Sequence, residues 1–200
     1  MKGLRARAIL AAALLLPGVA MATDSTCFGT VAKGRLENGV VLAGYRGLEK
    51  AAPQKRFVYG ETGWKAGGRI RPHRTHQNGL SVDFMVPVLD RHGRSVPLPT
   101  SALNRFGYDL EFDAQGRYGD LQIDFPAIAE HLYQLDLAAR AQGVGIALVI
   151  FDPSYLPRLW STERGPYLKQ NLRFMKAKPW VRHDEHYHVD FAIECRSLAG

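Results

Sequence analysis

Between residues 80 and 90 the chain reads LSVDFMVPVLD, where apolar and polar positions alternate and then merge into a continuous apolar run. That pattern predicts a buried strand. HYHVDFAIEC, from His186 to Cys195, alternates from its first residue and predicts the last strand. VGIALVIFD, residues 144–152, is apolar almost throughout and reads as a buried central strand. A helical period stands out in one place. Ile128, Leu132, Leu135 and Ala139 fall on one face of a helix that opens at Pro126, carries Glu130 early and Arg140 late, and stops at Gly143. Residues 154–175 read as helical pieces interrupted by Pro157 and Gly165-Pro166. GYDLEFDAQGRYGDLQIDF predicts two short strands around a turn at Gln115-Gly116, and DRHGRSVPLP a loop or hairpin tip. Residues 27–60 read as turns and short extended pieces, with KGRLENG a turn-rich connection and GETGWKAGG a glycine-rich loop beyond it. The expected class is α+β, a small antiparallel sheet with helices packed against it.

The first 22 residues stand apart from this pattern. MKGLRAR is a basic stretch, AILAAALLLPGVA is an apolar run short for a membrane span, and Ala20-Met21-Ala22 is a small-x-small cleavage site. Residues 1–22 are therefore expected to be a secretory signal peptide and 23–200 one domain in the periplasm, with no stable membrane insertion after cleavage. Removing that segment takes Lys2, Arg5 and Arg7, leaving 23 basic residues against 19 acids, a net charge of +4 where the whole chain has +7. That mild excess suits an anionic polymer and is no footprint of nucleic acid, for Lys and Arg form no stripe interleaved with aromatics. The two cysteines, Cys27 and Cys195, lie near the two ends of the expected mature chain. In an oxidising compartment they are expected to pair, restricting the unfolded chain by about 5 kcal/mol in the entropy model.

The chemistry concentrates in the histidines. Five of the seven lie in two short stretches, RPHRTHQNGLSVDF and VRHDEHYHVDF. A loop turning at Gly79 can return Asp83 to His76, and a period-2 strand sets His186 and His188 on one face with Tyr187 opposite. Two imidazoles and a carboxylate make a zinc shell with a fourth position open for water. His76, Asp83 and His188 fill that shell, with His186 beside it to handle a proton.

These stretches resemble the LAS zinc peptidases, which include lysostaphin-like and D-Ala-D-Ala-carboxypeptidase-like enzymes. Within that group the chain is most similar to the penicillin-insensitive murein endopeptidase family. The family carries H-x-x-H-Q-x-G-L-x-x-D, where this chain has HRTHQNGLSVD. It also carries K-x-x-P-W-x-x-H-x-x-H-x-H-V, where this chain has KAKPWVRHDEHYHV. GTVAKGRLENG and IFDP look like further pieces, so the resemblance spans most of residues 27–191 and is patchy between 90 and 125. It implies a LAS-like core, zinc on His76, Asp83 and His188, an auxiliary metal position at His73, a base at His186 and a further active-site histidine at His183. The chain departs from the family pattern in one respect. Some members place a second metal on an Asp-x-x-His after the first motif, whereas here no histidine lies between His92 and His131. One zinc per chain is expected. The chain is also shorter than typical members, so loops around the groove are expected to be trimmed.

The implied reaction is hydrolysis of amide bonds in peptidoglycan cross-links, with peptidoglycan the expected partner. Arg71, Arg74 and Arg182 flank the histidines and, with Tyr187, are candidates to hold substrate; Trp180 suits the core better. Glu185, three residues before His188, is the alternative base, as in the Glu-x-x-His of the carboxypeptidase-like branch, but strand alternation favours His186. A carboxypeptidase or amidase on the same scaffold, and a zinc-containing binding module without catalysis, are the rival readings.

Overall fold

The computed structural model describes residues 35–62, 76 and 80–192, with side chains from Val40 onward. The expected signal peptide, Cys27, Cys195, Arg71, His73 and Arg74 lie outside the described residues. The class is α+β as expected: two small antiparallel sheets with helices packed against them. No described helix is long and apolar enough to cross a membrane.

The first sheet holds β1 (Ser81–Met85), β6 (Gly145–Ile150) and β7 (His186–Ala192) in the order β1-β7-β6. β7 is central, and β6, expected there, is an edge strand whose first four residues are partly exposed. Antiparallel register sets Asp83 opposite His188, Phe84 opposite Tyr187 and Met85 opposite His186. Directly paired residues share a face, so alternation sorts the sheet cleanly. One face carries Ser81, Asp83, His186, His188 and Asp190. The other carries Val82, Phe84, Tyr187, Val189 and Phe191, all buried in the main core. The second sheet joins β2 (Val88–Leu89), β3 (Ser95–Val96), β4 (Arg117–Tyr118) and β5 (Leu121–Ile123) in the order β3-β2-β5-β4. Pro87 separates β1 from β2, and the expected hairpin tip is the turn at Asp90–Arg94. The turn expected between strands at Gln115-Gly116 instead precedes β4, and the strands reverse at Gly119-Asp120.

The main helix, α2 (Phe125–Ala141), runs where its period predicts. Asp124 caps it by accepting from the Ala127 N–H at 3.1 Å, and Gly143 beyond its end adopts φ 72°. Ile128, Leu132, Leu135 and Ala139 are fully buried. Beyond β6 come α3 (Leu156–Trp160) and α4 (Gly165–Asn171), where Pro157 and Pro166 occupy first turns and start the helices they were expected to interrupt.

Residues 35–51 correct the sequence expectation, because they form a helix, α1 (Arg35–Ala51), that packs on α2. Glycines in RLENGVVLAGYRGLEKA disguised it. A Cβ on Gly44 would lie 3.1 Å from Leu135 Cδ1 and 3.2 Å from Leu135 Cα, so this glycine permits close helix contact. Val40, Val41 and Leu48 then bury themselves beside it.

Candidate metal centre

The alternation of two paired strands builds most of the site. Asp83 on β1 and His188 on β7 face each other across the ladder, and His76 arrives from the connection before β1. His188 Nδ1 lies 2.8 Å from Asp83 Oδ1, and His76 Nε2 lies 3.0 Å from each of them. All three side chains are buried. The three atoms form a near-equilateral triangle of potential lone pairs, and this group can hold a metal ion. Two imidazole nitrogens and one carboxylate oxygen fit a borderline divalent cation.

Neighbouring groups fix the direction of these lone pairs. His188 Nε2 donates to Asp190 Oδ1 at 2.8 Å, and the Ser81 hydroxyl donates to the same oxygen at 2.5 Å. With its Nε2 proton so held, neutral His188 presents Nδ1 as a lone pair. The second oxygen of Asp83 accepts from the Tyr108 hydroxyl at 2.9 Å. Burial alone would raise the Asp83 carboxyl, but His186, His188 and His76 together hold it well below the usual carboxylate range. Burial presses the other way on His188, and its bonds to Asp190 and Asp83 overcome this and raise it to about 9. A metal held there would therefore compete with a proton for the same nitrogen.

His186 stands beside the triangle on the same face, its Nε2 3.8 Å from Asp83 Oδ2. Its Nδ1 donates to Glu185 Oε1 at 2.8 Å. Glu185 itself is buried, and burial with a hydrogen bond to Asp184 raises its carboxyl to about 9. At neutral pH it is thus an uncharged acid that accepts from His186 through its free oxygen. His183 completes the row, its ring centroid 4.4 Å from that of His186. His183 Nδ1 donates to the Val181 carbonyl at 2.9 Å, and burial with the nearby His186 lowers its pKa to about 4.

Of the candidate substrate groups, Tyr187 falls elsewhere than expected, and Arg71 and Arg74 lie outside the described residues. Tyr187 is no groove residue: it is fully buried on the opposite face, stacked on Phe84 and bonded to His131 Nδ1 at 2.5 Å. Trp180 is the reverse case, 39% exposed and edge-on to His183 with ring centroids 6.3 Å apart. Arg182 is held by two acids, bonding both oxygens of Asp184 and pairing with Glu111 at 2.9 Å. Asp184 in turn accepts from the Phe112 N–H at 2.7 Å, so this pair ties the histidine segment to the loop before β4.

Sequence reasoning missed Asp190, Ser81 and Tyr108. The period-2 pattern carried a signal for Asp190, two residues beyond His188 on the same face. It carried none for Tyr108, which reaches Asp83 from a loop 25 residues away. No protein-family model matches the chain, and no curated protein matches it significantly.

Proposed function

We propose that this protein is a zinc-dependent peptidoglycan endopeptidase acting on the peptide cross-links of the bacterial wall. The observation that carries this reading is the buried triangle of His76 Nε2, Asp83 Oδ1 and His188 Nδ1 with His186 beside it. The ordered match of HRTHQNGLSVD and KAKPWVRHDEHYHV to the murein endopeptidase pattern supplies the substrate class.

Zinc held by His76, Asp83 and His188 would supply Lewis acidity toward a bound water and a scissile carbonyl. His186 takes the proton from the attacking water at Nε2 and delivers it to the leaving amine. Glu185 keeps the other proton of His186 on Nδ1, so the working nitrogen remains Nε2. Because Glu185 is itself uncharged at neutral pH, it is a poor base there, and this favours His186 in that role. Asp190 steadies His188 as Glu185 steadies His186. The exposed Trp180 edge beside His183 offers an apolar surface for substrate.

The test is a digest of purified sacculi with products identified by mass. Loss of cross-linked dimers supports the endopeptidase reading. Release of terminal D-Ala identifies a carboxypeptidase, cleavage between glycan and stem peptide an amidase, and an unchanged digest a binding module.

A further inference from the structure

We infer that Tyr108 is a positioning residue of the metal centre, which holds Asp83 as a one-oxygen ligand. The inference rests on the reading of His76, Asp83 and His188 as a metal site. A carboxylate at such a centre has two oxygens to offer, and a bidentate carboxylate occupies coordination space that water needs. Here the oxygens are assigned different partners. Oδ1 faces the two imidazoles, 3.0 Å from His76 Nε2 and 2.8 Å from His188 Nδ1. Oδ2 accepts the Tyr108 hydroxyl proton at 2.9 Å. The phenol oxygen accepts in turn from the Glu61 N–H at 3.2 Å, and the Glu61 carbonyl accepts from the Asp83 N–H at 2.8 Å. Side chain and backbone of Asp83 are thus tied to one frame.

Tyr108 also stands against the proposed base. Oδ2 is the Asp83 oxygen nearest His186 Nε2, at 3.8 Å, and the Tyr108 ring stands edge-on to His186 with centroids 5.1 Å apart.

The loop that delivers Tyr108 is built for a fixed direction. Arg105 and Phe106 both adopt left-handed backbone, φ 49° and 58°, a conformation that costs most residues free energy and persists where surroundings enforce it. Asn104 enforces it. Its side-chain oxygen accepts from the N–H groups of Ser101 at 2.8 Å and Gly107 at 3.1 Å, and its amide donates to the Pro99 carbonyl at 2.6 Å. Gly107, at φ 106°, then lies flush on Met85, where a Cβ would come within 2.6 Å of the Met85 methyl. Met85 pairs with His186, so the loop is seated on the wall of the site.

The experiment is zinc titration of the parent and of Tyr108→Phe against a chromophoric chelator, followed by cobalt substitution of both. The parent is expected to bind one equivalent, and if it binds none the metal site itself is refuted. Given parental binding, Tyr108→Phe should bind zinc about 10- to 100-fold more weakly and change the visible cobalt spectrum, with the metal-free melting temperature nearly unchanged. Affinity within twofold of the parent and an identical cobalt spectrum would overturn the role of Tyr108 alone. Should Tyr108→Phe fail to fold, Asn104→Ala tests the same link from the loop. Zinc weakened at least fivefold supports the inference, and parental affinity overturns it.

Discussion

At the scale of single residues, the site separates two imidazoles of one strand by what lies behind them. His188 is backed by Asp190, a partly exposed carboxylate, whereas His186 is backed by Glu185, which burial and Asp184 keep protonated. The first arrangement favours a ligand and the second a proton acceptor at neutral pH. His186→Ala with zinc retained is therefore expected to lower turnover of cross-linked muropeptide about 10²- to 10⁴-fold, and Glu185→Gln less than tenfold. The opposite ranking would move the base to Glu185. A second expectation concerns protons and metal. In the metal-free protein His188 is raised to about 9, so below that pH zinc binding must expel its proton. Apparent zinc affinity should fall by about tenfold per pH unit as pH drops below that value, measured by chelator competition. A flat profile would show that His188 is not a ligand. His76, Asp83, His186 and His188 were legible because spacing and a period of two place them without knowledge of the rest. The protonated state of Glu185 was not, since it depends on burial and on Asp184.

At the scale of elements, the strands and α2 were legible because their side chains obey one period and their caps are local. α1 was hidden because its packing depends on glycines whose reason lies in another helix. Gly44 and Gly60 now separate packing from function. Gly44→Val, pressed against Leu135, should destabilise the fold by about 1–3 kcal/mol in urea unfolding and leave zinc affinity at the parental value. Gly60 lies in the segment beside β1, where its N–H donates to the Asp83 carbonyl at 3.0 Å and a Cβ would come within 2.6 Å of that oxygen. Gly60→Ala should therefore weaken both stability and zinc binding. Equal effects of the two substitutions on zinc would contradict this division.

At the scale of the whole molecule, the first sheet divides a face that can hold a metal from an aromatic core, and His131 anchors the core side. It is fully buried on α2, stacked on Tyr45 and bonded to Tyr187, and burial lowers its pKa to about 3. The folded protein thus binds fewer protons at this residue than the unfolded chain between pH 6.5 and about 3. Its contribution is complete above that window and is lost as pH falls through it. Relative to His131→Gln, the parent should lose about 1.4 kcal/mol of extra stability per pH unit across the window, and parallel curves would contradict the account. The same β7 carries His188 to the candidate metal site and Tyr187 to His131, so core and site share one strand. The proposed activity requires a metal held by that strand and acting on a cross-link. The most direct measurement is cleavage of a purified cross-linked muropeptide dimer by the protein as isolated, stripped of metal, and reloaded with one equivalent of zinc. Cleavage to monomers that disappears on stripping, returns with zinc, and is absent in His188→Ala is the predicted result. Cleavage that persists in the stripped protein, or a dimer left intact by the zinc-loaded protein, would contradict it.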